Sequence, residues 1–312
     1  MRTPAVWLVA SVLALGISAC GSGSGGEAAP PVAVPTSHLP RSTASHVVVV
    51  VMENKEYGDV LGSHDAPYLN ALARRYGAPS KLYGIRHPSL PNYLALVGGE
   101  TFGVDSDCTS CSVDGMSLPD QLERAGRTWR GYMQGLPRPC FKGAERGRYA
   151  KKHDPFMYFD SIRGSSRRCD RVVPYSQLLS DLRHGQLPDF AFVSPDLCSD
   201  THDCSVRTGD RFLSSLVPAL LRETGPRGFV VVTYDEGDSD AGCCGVAHGG
   251  RIATVVAGPD VRRGGRGDGD YTTYSILRTV EDFFGLPALA NASDARPLDA
   301  LFEKPPRAER RG

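Results

Sequence analysis

An uninterrupted run of apolar, mostly β-branched residues is the feature that most narrows the possible folds of this chain. Residues 46–52 read HVVVVVM, and Glu53 and Asn54 follow directly. A run without polar alternation is typical of a strand buried on both faces of a parallel sheet. In open α/β sheets, ligands bind beyond the carboxyl ends of the strands. Glu53 and Asn54 are therefore candidate site residues by position, although a polar strand exit is also common.

Strands and helices alternate along the rest of the chain. Further strands are predicted at residues 81–86, 128–133, 189–194, 228–234 and 252–257, and helices at residues 66–76, 118–125, 175–184, 210–224 and 274–284. Residues 134–173 are predicted to form a long excursion pinned by disulfides. The alternation predicts an α/β fold with a mainly parallel, doubly wound sheet and helices on both faces. A hydrophobic content of 41% supports one core, so residues 46–304 are predicted to form a single domain.

Two more predicted strands end in potential ligands. Asp235 and Glu236 follow one strand, and an acidic loop at residues 196–203, with His202 and Asp203, follows another. Because the carboxyl ends of parallel strands meet at one edge, these groups are expected to lie beside the pair that follows the first strand. Clustered carboxylates repel one another unless a cation neutralises them. Carboxylate, amide oxygen and imidazole together suit a divalent metal ion such as Ca²⁺, Mg²⁺, Mn²⁺ or Zn²⁺.

The segment around Ser89 reads as a tight turn that opens a helix, with Ser89 at the expected N-cap and His87 and Asn92 beside it. The unpaired amides of a helix start suit an anion such as phosphate. A hydroxyl there, next to a metal ion, is a candidate nucleophile toward phosphorus. His202 or His248 is a candidate proton donor or phosphate contact. The simpler interpretation is that Ser89 only caps the helix.

The sequence lacks the motifs of several other enzyme classes and the net charge typical of nucleic-acid-binding proteins. Ser89 is not part of a G-x-S-x-G elbow, and the chain has neither a P-loop Gly-Lys-Ser nor a glycine fingerprint after the first strand. The 35 basic and 35 acidic side chains leave no net charge to attract nucleic acid. Metal-assisted hydrolysis of a phosphate ester accounts for the polar strand ends, the serine at the helix start and the histidines together. A non-catalytic lipoprotein that binds metal or phosphate would account for the acidic strand ends but not for the serine beside His87 and Asn92.

The first 20 residues have the pattern of an export signal. Arg2 precedes an apolar run at residues 6–17, which is too short to span a bilayer comfortably, and a small-residue site precedes Cys20. The Ser-Ala-Cys sequence resembles the lipobox of bacterial lipoproteins, which implies cleavage before Cys20 and lipidation of its thiol. A plain secretory peptide is the alternative. The chain is thus predicted to be exported, and either anchored by lipid to the outer face of the bacterial cell membrane or secreted. Residues 21–45 are a predicted flexible tether, and residues 305–312 a predicted disordered basic tail.

Of the nine cysteines, eight remain once Cys20 is set aside, and an even number in an exported chain predicts disulfides. Spacing leaves their connectivity open. Cys243 and Cys244 are adjacent and are expected to reach different partners. The pair formed by Cys108 and Cys111 has no second pair at zinc spacing, so a thiolate metal site is not expected.

Four ordered motifs resemble those of the phosphoesterase family of bacterial acid phosphatases and C-type phospholipases, including the mycobacterial secreted acid phosphatases. They are VMENK at 51–55, HPSLPNY at 87–93, SPD with DTHD between 194 and 203, and TYDEGD at 233–238. RYAKKH at 148–153 extends the resemblance, which spans residues 46–286. It implies an alkaline-phosphatase-like fold and a hydrolase acting on phosphomonoesters, phosphoinositides among them. Phospholipase C-type cleavage of phosphodiesters is the alternative.

The resemblance also implies roles for individual residues. It assigns a divalent metal ion to a set of four side chains, Glu53, Asn54, Asp235 and Glu236. It assigns Ser89 as the nucleophile. Four further residues fall on motif positions and are implied to bind phosphate or transfer protons: His202, taken as catalytic, and His87, Asn92 and Asp203, taken as substrate-binding.

One departure from the family pattern concerns the predicted strand that begins at Ile252. Many members have an Asn-His pair just before it, whereas this chain has Gly250 and Arg251. His248 lies three residues before Arg251. It is the remaining histidine candidate for a substrate contact in this segment.

Overall fold

A computed structural model describes Met1 and residues 42–309. The predicted signal segment, its Cys20 and most of the predicted tether therefore lie outside the described residues, as do residues 310–312. The strands are β1 Val47–Met52, β2 Leu82–Tyr83, β3 Trp129–Met133, β4 Glu145–Arg146, β5 Tyr149–Ala150, β6 Val172–Pro174, β7 Phe190–Ser194, β8 Phe229–Tyr234, β9 Thr254–Ala257 and β10 Tyr271–Thr272.

Six of these strands form the central sheet, in the order β6-β3-β7-β1-β8-β9. All neighbours are parallel except β8 and β9, which pair antiparallel at one edge. Every residue of β1 and β8 is buried, because these apolar strands are covered on both faces. The prediction of a mainly parallel α/β sheet is confirmed.

Helices cover both faces of the sheet. They are α1 Tyr57–Val60, α2 Pro67–Arg75, α3 Ser89–Gly98, α4 Leu118–Arg124, α5 Asp160–Arg163, α6 Ser166–Cys169, α7 Tyr175–His184, α8 Val206–Glu223 and α9 Thr273–Phe284, with 3₁₀ helices at Lys151–His153, Pro155–Met157, Ala290–Ser293 and Leu298–Leu301. One group packs α2 and α7 against α8, and the other packs α4 and α9 against α3. The apolar faces of both groups join the strands in one core.

Two helix starts differ from the predictions. Ser89 is the first residue of α3, and Pro88 occupies the N-cap position. The N-cap of α8 is Ser205, whose side chain accepts a hydrogen bond from the Thr208 amide, so α8 begins before Asp210. Asp210 instead accepts hydrogen bonds from the backbone amides of residues 68 and 69 in α2. It therefore caps a neighbouring helix, a long-range contact that periodicity within one segment does not reveal.

The disulfides correct one expectation. The pairs are Cys108–Cys111, Cys140–Cys169, Cys198–Cys204 and Cys243–Cys244. The expectation that Cys243 and Cys244 reach different partners is wrong. A tight turn, in which Cys243 exchanges backbone hydrogen bonds with Ala247 and Cys244 has a φ of 64°, brings the two adjacent side chains together.

Residues 305–309 lie against the domain, in contrast to the predicted disorder of the tail. The Ala308 amide donates to the carbonyl of Phe283, and the Glu309 carboxylate accepts a hydrogen bond of 2.7 Å from Ser45. The segment is held because it passes over the end of α9 and meets the strand edge near Ser45. Among the residues described, none of the helices combines the length and the apolar character that crossing a membrane requires.

Candidate active site

The carboxyl ends of β7, β1 and β8 are neighbours and bring the predicted polar strand ends together. Glu53 and Asn54 leave β1, and Asp235 and Glu236 leave β8. The backbone amide of Asn54 donates a 3.0 Å hydrogen bond to Asp235 Oδ1. Asn54 has a φ of 50°, a left-handed conformation that asparagine tolerates better than most residues. The turn after β1 thereby aims two side chains at the end of β8.

The turn before α3 is pressed against the same edge. A Cβ on Gly84 would lie 2.7 Å from the Gly249 carbonyl oxygen and 2.8 Å from that of Asp235, so only glycine permits this approach. The Asn92 side chain accepts from the amides of residues 85 and 86 and donates to the carbonyls of residues 86 and 88. These contacts fix where α3 begins.

The start of α3 places Ser89 inside the carboxylate cluster. Its side chain is 1% exposed, and Oγ donates to Glu53 Oε2 at 3.0 Å. Oγ also lies 3.4 Å from both Asn54 Oδ1 and Glu236 Oε1. A single phosphate group therefore spans the distance between the hydroxyl and this ligand set.

Burial makes the cluster costly for its negative charges. Burial and repulsion from Glu236 raise the pKa of Asp235 to about 8. Burial and the charge of Asp107 raise the pKa of Glu236 to about 7. The pKa of Glu53 is raised well above its ordinary value by burial and by Asp235 and Asp200. A cation among these groups would remove the penalty.

The oxygen atoms of the cluster fit such a cation. The inward end of the Asn54 amide lies 3.1 Å from a Glu53 oxygen and 3.2 Å from oxygens of both Asp235 and Glu236. With nitrogen inward, the amide donates to these carboxylates; with oxygen inward, four oxygens converge. Spacings near 3 Å match the edges of an octahedron with ligands about 2.1 Å from a Mg²⁺ ion. The other Asp235 oxygen, Oδ2, is buried without a hydrogen-bond partner.

A second group that could hold a metal ion shares Glu53 and adds His153 and Asp200, with all ligand atoms within 4.8 Å of one another. His153 Nε2 lies 3.2 Å from Glu53 Oε2, and Nδ1 lies 3.3 Å from Asp200 Oδ2. Burial, with Lys152 and His202 nearby, lowers the pKa of His153 well below its ordinary value. A neutral imidazole is the form that binds metals.

An outer layer of charged groups lies above the carboxylates. His202 Nδ1 is 2.7 Å from Asp203 Oδ1, and Nε2 is 3.3 Å from Lys152 Nζ. Lys152 also donates to Asp107 at 3.0 Å. The His202 side chain is 28% exposed, so it can meet a ligand that enters from solvent.

Three predicted substrate contacts are placed differently. Asn92 is buried, and its amide is used fully by the turn, which corrects its assignment to substrate binding. His87 Nδ1 lies 2.6 Å from Glu236 Oε2 and Nε2 lies 3.2 Å from the Ser239 carbonyl, so His87 orients a carboxylate. His248 is exposed, and only its backbone contacts the turn: the His248 backbone amide donates a hydrogen bond to the Ile85 carbonyl. No side-chain contact joins His248 to the carboxylates in the part of the chain that is described.

Sequence reasoning gave Asp107 and Tyr93 no role in the site, and it singled out His153 only as part of the RYAKKH motif. Tyr93 donates a short hydrogen bond to Glu53 Oε1 and stacks on His153 with ring centroids 5.3 Å apart. Its position four residues after Ser89 on one helix face is a signal that could have found it. Asp107 lies in a loop and His153 in a single 3₁₀ turn, and periodicity predicts the position of neither.

Comparisons with known proteins agree with this geometry. Residues 60–287 match the model of the phosphoesterase family. The chain is 33% identical over 279 residues to a phosphatidylinositol-3-phosphatase of Mycobacterium tuberculosis, covering 88% of each chain. It is 28% identical to an acid phosphatase of Aspergillus fumigatus, covering 82% of this chain and 58% of that protein.

The fold has a counterpart among solved structures. A protein of the alkaline phosphatase superfamily from Vibrio parahaemolyticus superposes with a TM-score of 0.58 at 13% sequence identity, covering 86% of this chain and 77% of the other. The match of the family model to most of the domain is supported by the relatives over the same region. The chain therefore belongs to the phosphoesterase family and is a phosphoric ester hydrolase with an alkaline-phosphatase-like fold.

Proposed function

We propose that this protein is an exported, metal-dependent phosphomonoesterase that uses Ser89 as its nucleophile. The observation that carries the proposal is the position of Ser89 Oγ, 3.0 Å from Glu53 and 3.4 Å from both Asn54 and Glu236. A helix cap would not require a buried hydroxyl among carboxylates. A nucleophile beside a metal site does.

The proposed metal ligands are the oxygens of Glu53, Asn54, Asp235 and Glu236. Their chemistry favours a hard divalent ion such as Mg²⁺, Ca²⁺ or Mn²⁺, and participation of His153 would favour Zn²⁺ or another ion that accepts nitrogen. When bound, the ion would lower the pKa of the Ser89 hydroxyl and offset the charge of the phosphoryl oxygens.

The positions of the side chains support the following reaction. Ser89 Oγ gives its proton to Glu53 Oε2, to which it donates at 3.0 Å, and attacks phosphorus. The bond from phosphorus to the ester oxygen breaks as the new bond forms. In the proposed reaction His202, whose Nδ1 lies 2.7 Å from Asp203 Oδ1, protonates the departing alcohol. Lys152, in the same outer layer, supplies positive charge to the phosphate. Water then releases phosphate from Ser89.

The substrate class is inferred from charge and from the relatives. A phosphomonoester carries up to two negative charges, and the site offers a metal position, Lys152 and the Leu90 amide at the start of α3. The mycobacterial relative is named for hydrolysis of a phosphatidylinositol phosphate, which supports phosphoinositides as candidate substrates. Cleavage of a phosphodiester is the competing activity. A diester presents fewer free oxygens to the same groups, so the charge of the site favours the monoester.

We also propose that the protein is exported and held to the membrane by lipid on Cys20. The lipobox-like sequence before Cys20 supports the anchor. The pairing of the eight other cysteines as disulfides supports export, since disulfides persist outside the reducing cytosol.

Ser89→Ala tests the proposed chemistry. Hydrolysis of p-nitrophenyl phosphate should fall by about 10³-fold or more, because no other group replaces the attacking oxygen. Ser214→Ala, at an exposed position on α8, should keep wild-type turnover. Activity should also fall in EDTA and return with one of several divalent ions. Turnover of the Ser89→Ala protein at the wild-type rate would reject the nucleophile.

The same assay separates the two ester classes. Wild-type protein should hydrolyse p-nitrophenyl phosphate faster than p-nitrophenylphosphorylcholine when each is offered with the most effective ion. The reverse preference would replace the phosphomonoesterase by a phospholipase C-type enzyme.

A further inference from the structure

One carboxylate, Asp107, accepts hydrogen bonds from two donors in the outer part of the site. Asp107 Oδ1 accepts a hydrogen bond of 3.0 Å from the Leu90 amide, in the first turn of α3. Asp107 Oδ2 accepts one of 3.0 Å from Lys152 Nζ. A backbone amide at a helix start together with an ammonium group is a combination that binds phosphate oxygens.

These donors belong to the same pocket as the nucleophile. Leu90 follows Ser89 directly, and Pro91 has no amide hydrogen, so the first turn of α3 has few donors to offer. The charge of Lys152 acts on both Glu53 and Asp235. The unpartnered Asp235 Oδ2 lies buried in that cluster. An anion bound to the two donors would therefore lie against Ser89 and the proposed metal ligands.

Asp107 differs from a carboxylate that only caps a helix. Asp210 is such a cap: it is 6% exposed and both of its oxygens accept backbone amides of α2. Asp107 is 28% exposed, receives only one amide, and binds a lysine instead of a second amide. Its side chain comes from a loop held at its ends by Val104 and Val113. Its partial exposure leaves the side chain a solvent-facing side.

We propose that the Leu90 amide and the Lys152 ammonium form a phosphoryl-oxygen subsite, that Asp107 is its resting occupant, and that a phosphate ester binds by displacing Asp107. This inference rests on the proposed phosphatase function. Displacement breaks only hydrogen bonds and an ion pair. The apparent affinity for phosphate is reduced by the fraction of molecules in which Asp107 fills the subsite, so removing this carboxylate should tighten phosphate binding.

The test compares Asp107→Asn and Asp107→Ala with Asp105→Asn in the full chain. Asp105 lies in the same loop and is exposed, so its variant makes the same change of net charge without emptying the subsite. Inorganic phosphate is the probe, as a competitive inhibitor of p-nitrophenyl phosphate hydrolysis. Both Asp107 variants should lower the inhibition constant and the KM by about three- to tenfold. Asp105→Asn should change neither constant.

Lys152→Met provides an independent readout. It should weaken phosphate inhibition, and adding Asp107→Asn to it should recover much less than in the wild-type background, because both variants act on one subsite. If the inhibition constant is unchanged or rises in both Asp107 variants while they remain folded by thermal unfolding, Asp107 is a structural cap and the proposal is rejected. If wild type neither hydrolyses p-nitrophenyl phosphate nor binds phosphate with any divalent ion, the proposed function itself fails.

Discussion

At the scale of single residues, the site is a set of buried carboxyl groups. Their negative charge is unfavourable to folding unless a cation neutralises it. Tyr93 donates a hydrogen bond to Glu53 Oε1. His153 lies 3.2 Å from Glu53 Oε2 and 3.3 Å from Asp200 Oδ2 without a hydrogen bond to either. Asp200 Oδ2 and Asp235 Oδ2 still have no hydrogen-bond partner. Each such buried oxygen costs stability when it carries charge. This cost should be visible as a dependence of stability on pH and metal.

The first prediction concerns the metal-free protein. Asp235 and Glu236 have pKa values raised to about 8 and about 7 by burial, whereas unfolded acids titrate near pH 4. Between these limits the folded state holds more protons than the unfolded state, so stability falls as the pH rises from about 5 through about 8. Thermal unfolding in EDTA should show a midpoint that decreases over this range. A divalent ion should oppose the decrease, because it binds the deprotonated carboxylates.

Glu281 supplies a matched control for this pH series. Burial raises its pKa to about 8, and it accepts a hydrogen bond from the Leu289 amide in another part of the fold. Glu281→Gln should reduce the fall of the unfolding midpoint with pH equally in the presence and absence of a divalent ion. Asp235→Asn should reduce the part of that fall that a divalent ion opposes. A midpoint in EDTA that is flat or rises from pH 5 to 8 would contradict the prediction.

At the scale of elements, the site depends on which strands are neighbours. The order β7-β1-β8 places three polar strand ends side by side. The long segment between β3 and β6 then brings Lys152 and His153 over them, and the disulfide Cys140–Cys169 closes this segment. The Cys140 backbone amide also donates a hydrogen bond to the Val172 carbonyl. The disulfide therefore links the site to the edge strand of the sheet.

Removal of this disulfide is the second prediction. Loop-closure entropy predicts that replacing both Cys140 and Cys169 by alanine lowers the free energy of unfolding by about 3.5 kcal/mol, since the bridge spans 29 positions. The same change at Cys108 and Cys111, which are three positions apart, should cost about 2 kcal/mol. Urea unfolding of both double variants measures the difference. Equal losses would show that native contacts, not loop length, decide the effect.

At the scale of the whole molecule, the two described chain ends lie opposite the site. Ser45 precedes β1 and bonds to Glu309, and Arg127 donates to the Glu309 carbonyl. A groove of about 880 Å³ at this amino-terminal edge is lined by Ser42 and Gly225 and contains none of the proposed ligands. The length of β1, about 20 Å, separates this edge from Ser89. The described chain therefore enters the domain, at Ser42, at the edge opposite the site.

This arrangement leads to the third prediction. Cys20→Ser should move the protein from the membrane fraction to the soluble fraction of cells that process lipoproteins. Its kcat/KM for the soluble ester p-nitrophenyl phosphate should stay within about twofold of wild type, because the described chain enters the domain at the edge opposite the site. Immunoblots of the separated fractions and the activity assay provide the two readouts. Retention of the variant in the membrane fraction would exclude Cys20 as the anchor.

Much of the architecture was determined by the sequence alone. The run that became β1, and the polar residues that end β1 and β8, predicted both the sheet and the convergence of Glu53 and Asp235. This succeeded because hydrophobic periodicity is local and because parallel strands have only one carboxyl edge. Helix ends were predicted almost as well where Gly185 and Gly285 take the left-handed conformation that ends a helix.

Only the tertiary structure decided which irregular segments meet. Asp107 reaches Lys152 across 45 positions, and Asp210 caps α2 across 141 positions; neither contact leaves a periodic pattern. The tertiary structure also assigned Asn92 to the turn before α3, where its four hydrogen bonds are used, and joined Cys243 to Cys244. A sequence encodes strands and helices through local propensity. The partners of loop side chains depend on how the packed core folds each loop back over the sheet, and that requires the whole structure.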